Sequence, residues 1–323
     1  MLELFTFIMM EGGLNMKKMA LGGEQNLLVP NIAVGCMRLS ALNGNEVEKF
    51  IGTALELGMN FFDHADIYGG GVCEELFGKA VKNCKLKRED LIVQSKCGIR
   101  PDVGTFDFSK EHILQSVDKS LKRLHTDYLD VLVLHRPDCL MEPDEVAEAF
   151  DRLHGAGKVK YFGVSNHNAY QIELLQKSLS QKLLVNQLQL SITHAGMISN
   201  GIYVNMRNEG SIDRDGSVLD YCRLKDITIQ AWSPFQYGFF EGTFLGNNKF
   251  AELNGCLDEI AEKYHVNSTT IALAWILRHP AKIQPVIGTM NLHRLRDCAA
   301  ASEIYLTREE WYKIFVAAGN ILP

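Results

Sequence analysis

Four side chains of complementary chemistry, Asp63, Tyr68, Lys96 and His135, each stand just past a short apolar run. Asp63 and Tyr68 follow Phe61-Phe62 in the stretch Asp63-His64-Ala65-Asp66-Ile67-Tyr68, which breaks into the glycines Gly69 to Gly71. Lys96 ends the run Leu91-Ile92-Val93-Gln94-Ser95, and His135 ends Val131-Leu132-Val133-Leu134. An ammonium beside a phenol favours the phenolate, lowering a pKa that starts near ~10. A carboxylate keeps that ammonium charged and oriented. A tyrosine tuned in this way can serve as a general acid, a contribution of roughly 10²–10⁴ in rate. The imidazole can hydrogen-bond a substrate oxygen beside it. Taken singly, each group has an ordinary reading: Asp63 as a helix cap, Lys96 and Tyr68 as surface residues, His135 as a satisfied core histidine. Their joint placement at strand ends favours function.

An apolar run that breaks into polar residues and glycine reads as a buried strand feeding a functional loop. Where such strands are parallel, their C-terminal ends share one side, and loops there build the active site. The chain repeats this unit eight times. Strands are expected at Ile32–Gly35, Phe61–Asp63, Leu91–Ser95, Val131–Leu134, Tyr161–Val164, Leu183–Asn186, Ile227–Ala231 and Pro285–Ile287. Helices are expected at 46–57, 74–81, 109–124, 143–154, 169–176, 218–223, 250–264, 269–278 and 292–301, with Ser109 an N-cap and Pro143 in a first turn. Residues 27–30 read as a lead-in, Lys17-Lys18 as a solvated turn, and 191–215 as a long irregular segment. A last helix is expected over 308–317. The pattern predicts an α/β fold, a (β/α)₈ TIM barrel with an extra C-terminal helix, as one domain over 1–323. A doubly wound sheet is the runner-up, but no GxGxxG follows the first strand, so a nucleotide is not held by that loop.

At 323 residues, 46% of them hydrophobic, the chain can bury a core of barrel size. A net charge of −6 argues against nucleic acid or an anionic membrane as partner. The eight cysteines form no CxxC pair and no histidine cluster, so no metal is expected and a reducing, cytoplasmic setting is. Residues 1–15 are apolar but lack a positive start and a cleavage site; they read as an upstream or disordered extension.

The remaining strand ends carry groups suited to a nucleotide. Ser165-Asn166 and Gln187 offer donors and acceptors for a carboxamide. Trp232 supplies a flat face for a ring, ahead of Ser233-Pro234-Phe235. Gly288-Thr289-Met290 is expected to open the last barrel helix, whose N-terminal amides favour a phosphate, with Arg294 one turn in.

These motifs together, Phe62-Asp63-His64-Ala65-Asp66-Ile67-Tyr68-Gly69, Ser95-Lys96-Cys97-Gly98, Gly163-Val164-Ser165-Asn166 and Ala231-Trp232-Ser233-Pro234, resemble those of the aldo-keto reductases from about Ile32 to about Ala301. Gly35-Cys36-Met37-Arg38-Leu39 and His135-Arg136-Pro137-Asp138 are similar to its bacterial, YdhF-like branch. The resemblance implies hydride transfer from NADPH (the oxidised form being NADP⁺, with NADH the alternative) to an aldehyde or ketone. It implies Tyr68 as proton donor, Lys96 and Asp63 as its tuning pair, and His135 as the group orienting the carbonyl. Ser165, Asn166 and Gln187 would hold the carboxamide, and Trp232 would stack on its ring. Ser233, Phe235 and Gly238 would line the pyrophosphate, Gly288, Thr289 and Arg294 the 2′-phosphate, and Asp297 the adenine. The chain departs from the family in having Gly288 and Met290 where lysine or arginine is common beside Thr289, and in its short tail. The expected partner is a small carbonyl compound, and the expected state a monomer or weak homo-oligomer. Two other functions compete: an NADP(H)-binding redox-sensing subunit, and a lyase or isomerase with Lys96 as Schiff-base nucleophile. The first has no need of all four groups, and the second leaves the cofactor-end groups without purpose.

Overall fold

The computed structural model describes residues 16–323, so the expectation for 1–15 lies outside the described residues. Eight parallel strands close a barrel in chain order: β1 Ala33–Gly35, β2 Phe61–Asp63, β3 Ile92–Cys97, β4 Leu129–Leu134, β5 Val159–Ser165, β6 Leu183–Gln189, β7 Thr228–Trp232 and β8 Gln284–Ile287. β8 pairs back onto β1, which completes the ring. Around it run α1 Gly44–Glu56, α2 Val72–Asn83, α3 Lys110–Leu124, α4 Pro143–Gly155, α5 Ala169–Gln176, α6 Gly196–Ile202, α7 Val218–Leu224, α8 Ala251–Tyr264, α9 Ser268–Leu277 and α10 Leu292–Ala300, then the terminal α11 Arg308–Ala317.

Local chemistry explains the helix starts. Ser109 caps α3 by accepting from the His112 amide, and Pro143 occupies the first turn of α4. Asn43 and Glu46 form a capping box, so α1 begins earlier than its apolar periodicity suggests. Successive strand residues face opposite sides. Phe61, Val131, Val133, Val185 and Val286 therefore fill the barrel, while Phe62, Leu132, Leu134 and Val164 face the helices. Fully burying one such side chain is worth about 1.5–3 kcal/mol.

Two expectations are corrected. Residues 17–30 are neither a solvated turn nor a mere lead-in: Lys18–Ala20 pairs antiparallel with Leu28–Pro30, and this hairpin closes the barrel floor. Its Leu21 and Val29 are fully buried in the interior cluster. Gly22, at φ +58°, is the residue that lets the hairpin seat, since a Cβ there would lie 2.6 Å from the Leu184 Cβ. The Gly22 amide donates to Thr228 Oγ1 (2.9 Å), and Gln284 Nε2 donates to the Pro30 carbonyl (2.6 Å). The open interior of eight short staves requires this cover. The segment 191–215 is not wholly irregular: it holds α6 and a single turn at Glu209–Ser211. The Gly-Met-Ile-Ser-Asn-Gly-Ile sequence of α6 has poor helix propensity; burial of Ile198 and Ser199 overrides it.

Candidate active site

Register brings the four singled-out groups together. Asp63 lies opposite Gln94 on β3, so Lys96, two residues on, points from the same inner face. The β2–β3 ladder continues past the strand, the Asp66 amide donating to the Lys96 carbonyl (3.0 Å). The following turn, Tyr68–Gly71, passes through left-handed conformations at its glycines. It returns the phenol over the barrel axis. Lys96 Nζ spends all three protons: on Asp63 Oδ2 (2.7 Å), the His64 carbonyl (2.9 Å) and the Tyr68 hydroxyl (3.2 Å). The Tyr68 and His135 rings meet edge to face at 5.9 Å. Asp63 Oδ1 accepts from the Gln94 and Gln187 amides.

Burial sets the electrostatics. For Lys96, burial works against the ammonium, but Asp63 and then Tyr68 outweigh it and raise its pKa. Tyr68 departs from the expectation of a lowered value. Burial is the largest influence on it and raises its pKa; Lys96 pulls it down, Asp63 pushes it up, and the net direction is upward. The phenol is thus held protonated, the form an acid must start from. Burial, then Lys96 and Arg136, hold His135 well below its ordinary value. Its imidazole is neutral, and its Nδ1 is buried without a partner among the described residues. With every Lys96 proton committed and the pKa raised, the amine has no lone pair for Schiff-base chemistry.

The cofactor-end residues follow the mouth of the barrel. Ser165 donates to the Gln187 carbonyl (2.8 Å), and Asn166, at φ +62°, takes a hydrogen bond from Trp232 Nε1 (3.2 Å). Left-handed backbone in a residue other than glycine is strained; Asn166 and Ser233 (φ +53°) carry it at the ends of β5 and β7. Gln187 uses its nitrogen on Asp63 and Gln230. Phe240 lies over the Trp232 face, with ring centroids 5.7 Å apart, and Phe239 meets both rings. The Arg136 guanidinium sits 5.7 Å from the Trp232 ring. Gly238 is tied to β6, its carbonyl accepting from Gln189 Nε2 (2.6 Å), and Phe235 packs against the core.

At β8 the expectation of a helix opening with free amides at 288–290 is corrected. α10 starts at Leu292, and the Asn291 side chain accepts from the His293 and Arg294 amides (2.9 and 3.1 Å). Thr289 Oγ1 accepts from the Asn291 amide. Sequence reasoning missed Arg38, whose guanidinium donates to the Gly288 carbonyl (3.1 Å) and adds positive charge beside Thr289. Its signal was its place after β1. Asp297 is buried and faces His293 Nδ1 (3.2 Å). Also unforeseen is a buried acid pair behind the Tyr68 loop. Glu74 is fully buried, accepting from Ser95 Oγ (2.6 Å) and Arg123 Nε (2.7 Å). The neighbouring Asp66 keeps a buried oxygen, Oδ1, with no hydrogen-bond partner among the described residues.

Residues 31–316 match the sequence profile of the Aldo/keto reductase family. Oxidoreductase YdhF of Escherichia coli (strain K12) is 35% identical over 284 residues, 86% of this chain and 89% of that protein. A 6-dehydroglucose reductase of Agrobacterium fabrum is 34% identical over 281 residues, 84% of this chain and 87% of that protein. Among solved structures, the thermostable aldo-keto reductase Tm1743 with the inhibitor epalrestat superposes with a TM-score of 0.75 at 26% identity. That match covers 94% of this chain and all of the other.

Proposed function

The chain belongs to the aldo/keto reductase family, and from that premise we propose that it reduces the carbonyl of an aldehyde or ketone with NADPH, Tyr68 giving the proton. The observation that carries this reading is the buried Lys96 ammonium shared between Asp63 Oδ2 and the Tyr68 hydroxyl, with the neutral His135 ring alongside.

The groups at the mouth fit a nicotinamide nucleotide. Gln187 Oε1 makes no hydrogen bond among the described residues, and Trp232 already carries an aromatic ring on its face. Ser165, Asn166 and Gln187 would hold the carboxamide, Ser233, Phe235 and Gly238 the pyrophosphate, and Arg38, Gly288, Thr289 and Arg294 the 2′-phosphate. Asp297 would face the adenine through its His293 partner. When bound, the cofactor supplies the hydride. His135, neutral, donates a hydrogen bond to the carbonyl oxygen and orients it. Tyr68 transfers its hydroxyl proton to that oxygen as negative charge develops there. Lys96 stabilises the phenolate left behind, and Asp63 holds Lys96 charged. Residues 16–323 act as one barrel domain, and eight free thiols suit a reducing compartment.

The test is titration with NADPH and NADH followed by fluorescence, then turnover with 4-nitrobenzaldehyde, glyceraldehyde, an oxidised sugar and phenanthrenequinone. Turnover with tighter NADPH binding is expected. Tyr68→Phe should bind cofactor as before and lose roughly 10²-fold or more in kcat; unchanged turnover would remove Tyr68 from the reaction. Binding without turnover across the panel would point instead to a redox-sensing role.

A further inference from the structure

The Asp63 carboxylate is the upper end of a chain of amides that runs down the barrel axis. Gln94 Nε2 and Gln187 Nε2 donate to Asp63 Oδ1 (2.5 and 3.0 Å) and also to Gln230 Oε1 (2.8 and 3.1 Å). Gln230 Nε2 donates to Gln284 Oε1 (2.9 Å), and Gln284 Nε2 donates to the Pro30 carbonyl of the floor hairpin (2.6 Å). The four glutamines come from β3, β6, β7 and β8, and all are buried.

The two ends of a glutamine chain decide its sense, because each amide could otherwise turn over at no steric cost. A peptide carbonyl only accepts, so Pro30 takes an N–H of Gln284. The Gln284 oxygen then accepts from Gln230, whose oxygen accepts from Gln94 and Gln187. At the top, the ionised Asp63 also only accepts. Both ends demand the same sense, and no member can flip without setting two buried donors or two buried acceptors face to face.

We infer that Gln94 and Gln230 are positioning residues for the proposed proton transfer, fixing the Asp63 carboxylate in the rotamer that meets Lys96 and so keeping the ammonium against the Tyr68 hydroxyl. The inference rests on the reading of Tyr68 as proton donor. The Asp63 charge raises the pKa of both Lys96 and Tyr68. A carboxylate free to swing away lets the pair lose its proton at lower pH. The other titratable or charged groups around the trio are Cys36 past β1, His64 past β2, and His135 and Arg136 past β4. Burial keeps Cys36 protonated and both imidazoles neutral through the alkaline range, and Arg136 stays cationic there. None of them masks the pair.

The experiment compares the full-length protein, Gln94→Leu, Gln230→Leu and Tyr68→Phe in NADPH-dependent reduction of 4-nitrobenzaldehyde from about pH 6 to about pH 10, a range spanning the fall of the basic limb. Each leucine variant should lower kcat about tenfold, leave the aldehyde KM within about twofold, and bring the basic limb down by about one pH unit. A folded leucine variant whose basic limb stays in place overturns the inference, even if it is less stable, since stability alone does not move a pH limb. Should either leucine variant fail to fold, Gln94→Met and Gln230→Met, closer in length and without an amide, must show the same shift. The control separates the two readings. If Tyr68→Phe keeps its turnover, the donor assignment falls. If Tyr68→Phe is inactive while the glutamine variants keep the original limb, only the amide chain is refuted.

Discussion

Asp66 sits in the loop between β2 and Tyr68 with one carboxylate oxygen buried and, among the described residues, unpartnered. Burial raises its pKa, the Glu74 charge adds to that, and Arg123, the Ile67 amide and the Ser116 hydroxyl only partly oppose it. The carboxyl is pushed from an ordinary 3.8 up to about 7. Between those values the folded chain holds a proton that the unfolded chain has lost, so stability falls as pH rises through this window. From about pH 5 to about pH 8.5 the drop spans the ~2 units below the folded pKa, which at ~1.4 kcal/mol per unit is about 3 kcal/mol. Asp66→Asn keeps the shape and removes the titration. Denaturant unfolding at both pH values, on both proteins, isolates this group in the difference between them. The variant should gain about 3 kcal/mol relative to the parent between the lower and the higher pH. Parallel pH profiles would show that Asp66 is ionised in the fold without penalty and would refute the buried-acid account.

Two further predictions concern packing. At Gly163 a Cβ would lie 2.3 Å from Val185 Cγ2 and 2.9 Å from the Val185 carbonyl. Gly163→Ala should therefore cost about 1–3 kcal/mol in denaturant unfolding, and unchanged stability would mean that β5 and β6 separate freely. Phe240 lies on the Trp232 face that the proposed nicotinamide would need. Phe240→Ala should speed NADPH association severalfold in stopped-flow tryptophan quenching, and an unaltered rate would refute Phe240 as a competing ring.

Much of this architecture was legible in the sequence because each stave is a short apolar run that stops at a polar residue. The stopping residues Asp63, Lys96 and His135 announced a shared face, and Ser109 and Pro143 punctuated the helices. What was illegible depends on long-range contact. Gln94, Gln230 and Gln284 look like ordinary polar interruptions of apolar strands until the barrel closes them upon one another. The Lys18–Pro30 hairpin offers too few residues to reveal itself before the barrel floor it covers exists. The direction of the Tyr68 pKa turns on its depth of burial, which outweighs the neighbouring ammonium and leaves no mark in the local sequence. Asn291, one residue past the span read as the helix opening, caps the amides that a phosphate was expected to meet.

The floor hairpin also constrains the order in which the molecule can be completed. Its anchors, Thr228 and Gln284, lie 206 and 254 residues downstream of the groups they hold. Domains assemble in step with synthesis, and distant pairings are slow because their loops must close first. During translation, residues 18–30 emerge before every stave of the barrel and stay without their seat until the seventh and eighth have left the ribosome. A nascent chain released before Gln284 has neither the last stave nor the donor for Pro30, so its apolar floor residues Leu21 and Val29 remain open to chaperones. Commitment to the native state thus waits on the eighth stave, although the residues that it locks in place are made 254 positions before Gln284.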